Sequence, residues 1–220
     1  FNSIHHLSHA GVRASLRLLK RSYIWSRMGS DVASWVRDCA DYQRGKIVRH
    51  LHPPPSVFPA NPDRFACLHI DLVGPLEPSI GLRYLVTFVD RESRLFECIR
   101  TDDISAAAVA NIFIEHWVSR YGVPAQITTD RGAQFQSSLF SSLCAILGTS
   151  HMPTTAYHPE ANGLVERLHR RLKASLRSHA ALDWTELLPW VVLGLRAAPR
   201  AADNVSTFEH VFGCTPRLPG

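Results

Sequence analysis

Five prolines fall among the twelve residues 51–62, and no α-helix or central β-strand can run through them. Such a stretch behaves as a semi-rigid spacer and marks a domain boundary. The 220-residue chain therefore reads as a small module over residues 1–50, a linker over 51–62 and a medium-sized domain over 63–220. Each side of the linker has a different periodicity, so the two parts are built from different elements.

Before the linker the pattern is helical. Leu16, Leu18 and Leu19 lead into Tyr23 and Trp25, and Val32, Trp35 and Val36 recur at helical spacing. Residues 1–50 carry nine Arg or Lys against three Asp, a charge of +6, while the whole chain carries +5. The excess cation is thus concentrated in this module, and it suits either contact with a phosphate backbone or an ordinary solvated surface. With hydrophobic residues at 45% and charged residues at 20%, the composition is that of a globular protein. No apolar run approaches the roughly 18–20 residues of a membrane span, so no membrane partner is expected. Five scattered cysteines, an odd number, point to free thiols and a reducing compartment.

After the linker the period shortens. Cys67–Val73 and Tyr84–Asp90 read as strands, as do residues 95–99, and their short joints suit antiparallel hairpins. Residues 105–121 follow as a helix closed by Gly122 and Pro124, then Gln126–Thr129 as a fourth strand. Ser138–Leu147 reads as a helix stopped by Gly148, with a short strand at Ser150–Pro153. Residues 164–178 and 184–196 are helices. Strands first and then alternating helix and strand define an α/β fold.

Three carboxylates stand out in this frame. Asp71 interrupts the apolar strand Leu68-His69-Ile70-Asp71-Leu72-Val73, where a charge is costly unless paired or bound to metal. Asp130 ends the fourth strand, and Glu166 lies early in the helix after Asn162-Gly163. Singly, each has a plain reading: a strand-edge residue, a turn residue and a carboxylate near a helix N-terminus. Jointly, if the first and fourth strands are neighbours, the three can converge as hard oxygen ligands for one or two Mg²⁺ ions. Two ions about 3.5–4 Å apart suit an in-line phosphoryl displacement.

The segments His69–Leu76, Thr128–Phe135 and Thr154–Arg167 resemble the catalytic core of gypsy-class retrotransposon integrases and their retroviral relatives. Thirty-five residues separate Asp130 from Glu166, as in the D,D-35-E pattern of that family. The resemblance implies an RNase H-like core, a mixed five-stranded sheet flanked by helices, preceded by a small helical HHCC-type zinc-binding-like module. It implies that Asp71, Asp130 and Glu166 are catalytic and hold two Mg²⁺ (or Mn²⁺) ions. The implied reaction is trimming of a DNA 3′ end followed by attack of that 3′-hydroxyl on target DNA. Element ends and target DNA would be the partners, and a homo-oligomer is implied because two ends meet one target. Glu166, Arg170 and Lys173 recur at i, i+4 and i+7 on one helix face, with His169 beside them, and cations there suit DNA phosphates. His158 and Asn162 resemble family positions that touch the DNA end. The alternative for this helix is a solvated face with ion pairs.

The same family carries an His-x3-His, Cys-x2-Cys zinc site in its N-terminal module. His5, His9 and Cys39 match three ligands, while the fourth position holds Tyr42. A neutral phenol is a poor replacement for a thiolate. Weak Zn²⁺ binding completed by water or Asp41, a module that folds without zinc on Trp25, Trp35 and its leucines, and a decayed element copy all remain open at this stage. A non-catalytic integrase-derived DNA-binding protein is the chief alternative function, and a nuclease that cuts without joining is another. Action on chromosomal DNA implies a nuclear site, with the cytoplasm before entry.

Overall fold

The computed structural model describes residues 1–45, 63–154, 159–178, 183–200 and 203–219. The expected linker, residues 51–62, lies outside them. The chain divides into two compact units, His52–His169 in one and Phe1–Leu51 with Arg170–Gly220 in the other.

The second unit in chain order holds a five-stranded mixed sheet of order β3-β2-β1-β4-β5. Its strands are β1 (Cys67–Val73), β2 (Tyr84–Asp90), β3 (Phe96–Thr101), β4 (Gln126–Thr129) and β5 (Ser150–Pro153). The first three form an antiparallel meander, and β4 and β5 add in parallel. The expected third strand lies one to two residues further along, because Asp90 and Ser93 close a tight turn before it. Alternation then sorts the faces. Leu68, Ile70, Val86, Phe88 and Ile127 face one way into a core with Val109, Phe113, Trp117, Phe135 and Phe140. Burial of that many large side chains is the main stabilising term of this unit.

The helices supplying that core are α5 (Ala106–Phe113) and α7 (Ser138–Leu147). Both begin at a serine whose hydroxyl accepts a backbone N–H, Ser105 from Ala108 and Ser137 from Phe140. The helix expected over residues 105–121 is one helical run with a π-helical turn at Ile114–Val118, continuing as α6 (Ser119–Tyr121). Gly148 ends α7 at φ 69°, a left-handed conformation that suits glycine.

The other unit begins with α1 (Asn2–His5), α2 (Val12–Leu19), α3 (Met28–Asp38) and α4 (Ala40–Gly45). Leu19, Met28, Val32 and Val36 form its buried centre, with Phe1, Ile4, Trp25 and Tyr42 packed around them. Residues from Arg170 onward in α8 (Pro159–Ser178) join this unit, with α9 (Trp184–Ala197) and α10 (Thr207–Phe212). The Ser175 hydroxyl donates to Ser8 O at 2.7 Å, and Arg21 pairs with Glu209 at 2.7 Å. Gly194 marks a close approach, since a Cβ there would stand 2.9 Å from the Cβ atoms of Leu7 and Ser8. Among the described residues no helix is long and apolar enough to cross a membrane.

Candidate active site and metal centre

The sheet register determines where the carboxylates fall. Strands β1 and β4 are parallel neighbours, and their last pair is Ile70 with Thr129. Asp71 and Asp130 are the next residue on each strand, so they occupy matching positions on backbones about 4.8 Å apart. Both follow a core-facing residue, and alternation places Asp71 on the sheet face opposite the α5 and α7 core.

Asp71 is held on several sides. Its Oδ1 accepts the Leu72 N–H at 2.8 Å, and its Oδ2 lies 3.6 Å from His169 Nδ1. Its cross-strand partner is Thr87, fully buried, whose hydroxyl donates to Asp71 O at 3.1 Å. That same hydroxyl lies 2.8 Å from His169 Nε2. One imidazole thus ties the helix of Glu166 to the strand pair that carries Asp71. Asp130 is exposed, and its Oδ1 accepts the Gly132 N–H at 2.9 Å, a turn that fixes the carboxylate just past the strand end.

Glu166 and Arg170 are exposed on α8, and Lys173 is half-buried further along the same helix. Asp71, Asp130 and Glu166 are not drawn together to within 4.8 Å of one another, a closeness that among the described residues only His5, His9 and Cys39 reach. Three carboxylates of like charge repel at such range, and outer ligands of two separate ions need not approach each other. As a donor set the three fit Mg²⁺ or Mn²⁺, being all-oxygen ligands with solvent-open sides. His158 lies outside the described residues, as does the side chain of Asn162, whose backbone falls in α8.

Two residues of this face were not singled out by sequence reasoning. Thr87 needs the strand register to become visible, since nothing in Leu85-Val86-Thr87-Phe88 separates it from an ordinary strand threonine. His69 lies two residues before Asp71 and is 6% exposed. Burial, aided by Arg91 and Arg94, pushes its pKa down to about 4, so it stays neutral near pH 7. A histidine in an apolar strand was the available signal.

The ligand set of the N-terminal module is assembled. His5 is fully buried and His9 is 7% exposed. His9 Nδ1 lies 3.3 Å from Cys39 Sγ. The Ser15 hydroxyl donates to Ala10 O at 3.0 Å and therefore accepts from His5 Nδ1, 3.2 Å away. This leaves His5 Nε2 as the lone-pair nitrogen, and it is buried without a hydrogen-bond partner. Burial, with His6 nearby, lowers the His5 pKa to about 4, so the ring is in the neutral form that binds metal. Two imidazoles and one thiol suit Zn²⁺.

Comparison with known proteins agrees with this fold. The core architecture is that of solved integrase structures. The chain is similar to the simian T-cell lymphotropic virus intasome in complex with the PP2A regulatory subunit B56 gamma, with a TM-score of 0.64 and 17% identity over 98% of this chain and 73% of that one. It is also similar to the HTLV-2 integrase catalytic core domain in complex with magnesium, in a trimeric form, with a TM-score of 0.55 and 18% identity over 66% of this chain and 95% of that one. Residues 1–48 match the integrase zinc binding domain, and residues 62–159 match the integrase core domain. The chain belongs to the retroviral and retrotransposon integrase family. Among its relatives, the retrovirus-related Pol polyprotein from transposon 412 of Drosophila melanogaster is 30% identical over 96% of this chain. This chain spans only 17% of that polyprotein's length.

Proposed function

We propose that this chain is the DNA-joining enzyme of a retroelement, a polynucleotidyl transferase that trims DNA 3′ ends and transfers them to chromosomal target DNA in the nucleus. The observation that carries the reading is the matched position of Asp71 and Asp130 on neighbouring parallel strands, with Glu166 on a helix joined to Asp71 and Thr87 through His169. In this reading Asp71, Asp130 and Glu166 hold two Mg²⁺ or Mn²⁺ ions, which supply charge stabilisation to the attacking and leaving oxygens. The Leu72 and Gly132 amides aim the two aspartates, and the His169–Thr87 bond orients the helix of Glu166. Arg170 and Lys173, one and two turns beyond Glu166, bind phosphates of the DNA being joined, with His158 and Asn162 nearer its end, while the His169 ring is taken up by Asp71 and Thr87. The chain acts as a homo-oligomer in this reading, because two element ends are inserted into one target.

The test is strand joining by the 220-residue chain on a branched DNA that mimics the integration product, with Mg²⁺ or Mn²⁺. Joining is expected, and is expected to disappear in Asp130→Asn and Glu166→Gln. Joining that persists in both variants removes the carboxylates from the chemistry. A second reading is an integrase-derived DNA-binding protein without catalysis. Tyr42 in place of the fourth zinc ligand favours it, and DNA binding without cutting or joining is its signature.

A further inference from the structure

The N-terminal module matches a zinc binding domain, yet its ligand set stops at three. Among the described His, Cys, Asp and Glu side chains, only His5, His9 and Cys39 place ligand atoms within 4.8 Å of one another. The position expected to hold the fourth ligand is Tyr42, and its ring has another task. It packs with Leu19, Met28, Val32 and Val36 in the apolar centre of the module. Its hydroxyl lies 3.5 Å from where a Cβ on Gly11 would stand. Its amide still does what an amide beside a zinc-bound cysteine does, donating to Cys39 Sγ at 3.5 Å.

The three ligands are nonetheless preorganised. Ser15 holds the His5 ring with Nε2 as the lone-pair atom, buried and without a hydrogen-bond partner. An unpartnered buried nitrogen costs free energy unless something occupies it. A cavity of about 180 Å³ opens beside His9 and Tyr42, lined also by Gly11, Arg171 and Ser175. It is roomy enough for solvent or a small ion, and the guanidinium of Arg171 favours an anion.

We infer that this module binds Zn²⁺ through His5, His9 and Cys39 alone and leaves the fourth coordination position open to a small exogenous ligand, solvent or an anion. Closed structural zinc sites use four protein ligands, and sites with three keep one position for exchange. The apolar packing of Tyr42 offsets the lost metal bond, so the module keeps its fold while its zinc becomes exchangeable. This inference concerns the zinc module only and does not depend on the DNA-joining reading.

The experiment replaces zinc with Co²⁺ in the intact 220-residue chain and follows the visible and near-ultraviolet spectrum while azide is added. The expected result is one bound Co²⁺ with a thiolate charge-transfer band that Cys39→Ser removes, and a visible spectrum that changes with azide. Tyr42→Phe, which keeps the aromatic packing, is expected to behave like the parent. Tyr42→Cys is expected to lose the azide response and to hold Zn²⁺ roughly tenfold or more tightly against a competing chelator. If Tyr42→Cys does not fold, the parent, Tyr42→Phe and Cys39→Ser still decide the matter. Three results overturn the inference: absence of stoichiometric metal, a parent spectrum indifferent to azide, or a Tyr42→Phe chain that loses the metal. Indifference to azide means that a side chain such as Asp41, or His50 or His52 outside the described residues, closes the site. Metal loss in Tyr42→Phe makes the phenol a ligand.

Discussion

Asp71 and Asp130 are the residues that immediately follow the last paired positions of the β1–β4 ladder, Ile70 and Thr129. Parallel pairing makes this possible: two strands running the same way end on the same side of the sheet, so a polar residue at each end meets its counterpart. The neighbouring β2 runs the other way and contributes Thr87 to the same place. From these three residues and His169 follows a set of measurable consequences.

Thr87→Val keeps the shape of the side chain and removes the hydroxyl that serves both Asp71 O and His169 Nε2. His169 Nε2 then loses its contact with that hydroxyl in a half-buried position. A destabilisation of about 1–3 kcal/mol is expected in denaturant unfolding. The joining rate is expected to fall more than DNA affinity does, because the bond orients Glu166 and touches no DNA. Thr87→Ser is expected to restore both.

Arg170→Ala and Lys173→Ala are expected to weaken DNA binding irrespective of sequence. Each is expected to lower the slope of log K against log salt by about 0.9 for duplex DNA. Fluorescence anisotropy over a series of salt concentrations measures it. An unchanged slope in both variants places these side chains away from the phosphates.

His69 governs a part of the response to acid. Its pKa falls from 6.5 in the unfolded chain to about 4 in the folded one, because burial disfavours the charged ring. The stability associated with its neutral form is complete above about pH 6.5 and is lost as pH falls towards about 4. His69→Leu removes that proton uptake. Its unfolding free energy is expected to decline less steeply than that of the parent between these two pH values, as read by urea titrations at each pH.

Gly194 sits where α9 approaches Leu7 and Ser8, and a Cβ at this position would stand 2.9 Å from both neighbouring Cβ atoms. Gly194→Val is expected to cost roughly 1–3 kcal/mol through overpacking. Thermal unfolding followed by circular dichroism checks this. A melting temperature equal to or above that of the parent contradicts the close approach.

Much of this was legible in the sequence because short apolar runs bounded by turn residues declare themselves. Cys67–Val73, Tyr84–Asp90, Gln126–Thr129 and Ser150–Pro153 are strands with the bounds their patterns suggest. The mixed sheet flanked by helices and the integrase kinship were readable too, from the ordered motifs around Asp71, Asp130 and Glu166. Features set by long-range geometry were hidden. Thr87 acquires its role from a register between strands and from a helix 82 positions away. The π-helical turn at Ile114–Val118 leaves the apolar spacing of its helix nearly unchanged, so the pattern reads as one helix. The grouping of α9 and α10 with the N-terminal helices arises from contacts such as Gly194 with Leu7 and Ser8 and Arg21 with Glu209, which no local pattern announces. Tyr42 shows the reverse case: the sequence identified the missing ligand, and the packing around its ring explains what the residue does instead.

Anomalous scattering from crystals grown with Mn²⁺ and a branched DNA measures directly whether Asp71 and Asp130 share a metal position. The prediction is a manganese peak in ligand contact with both carboxylates, absent from crystals of Asp71→Asn. Manganese found only elsewhere, or found unchanged when Asp71 is replaced, contradicts it.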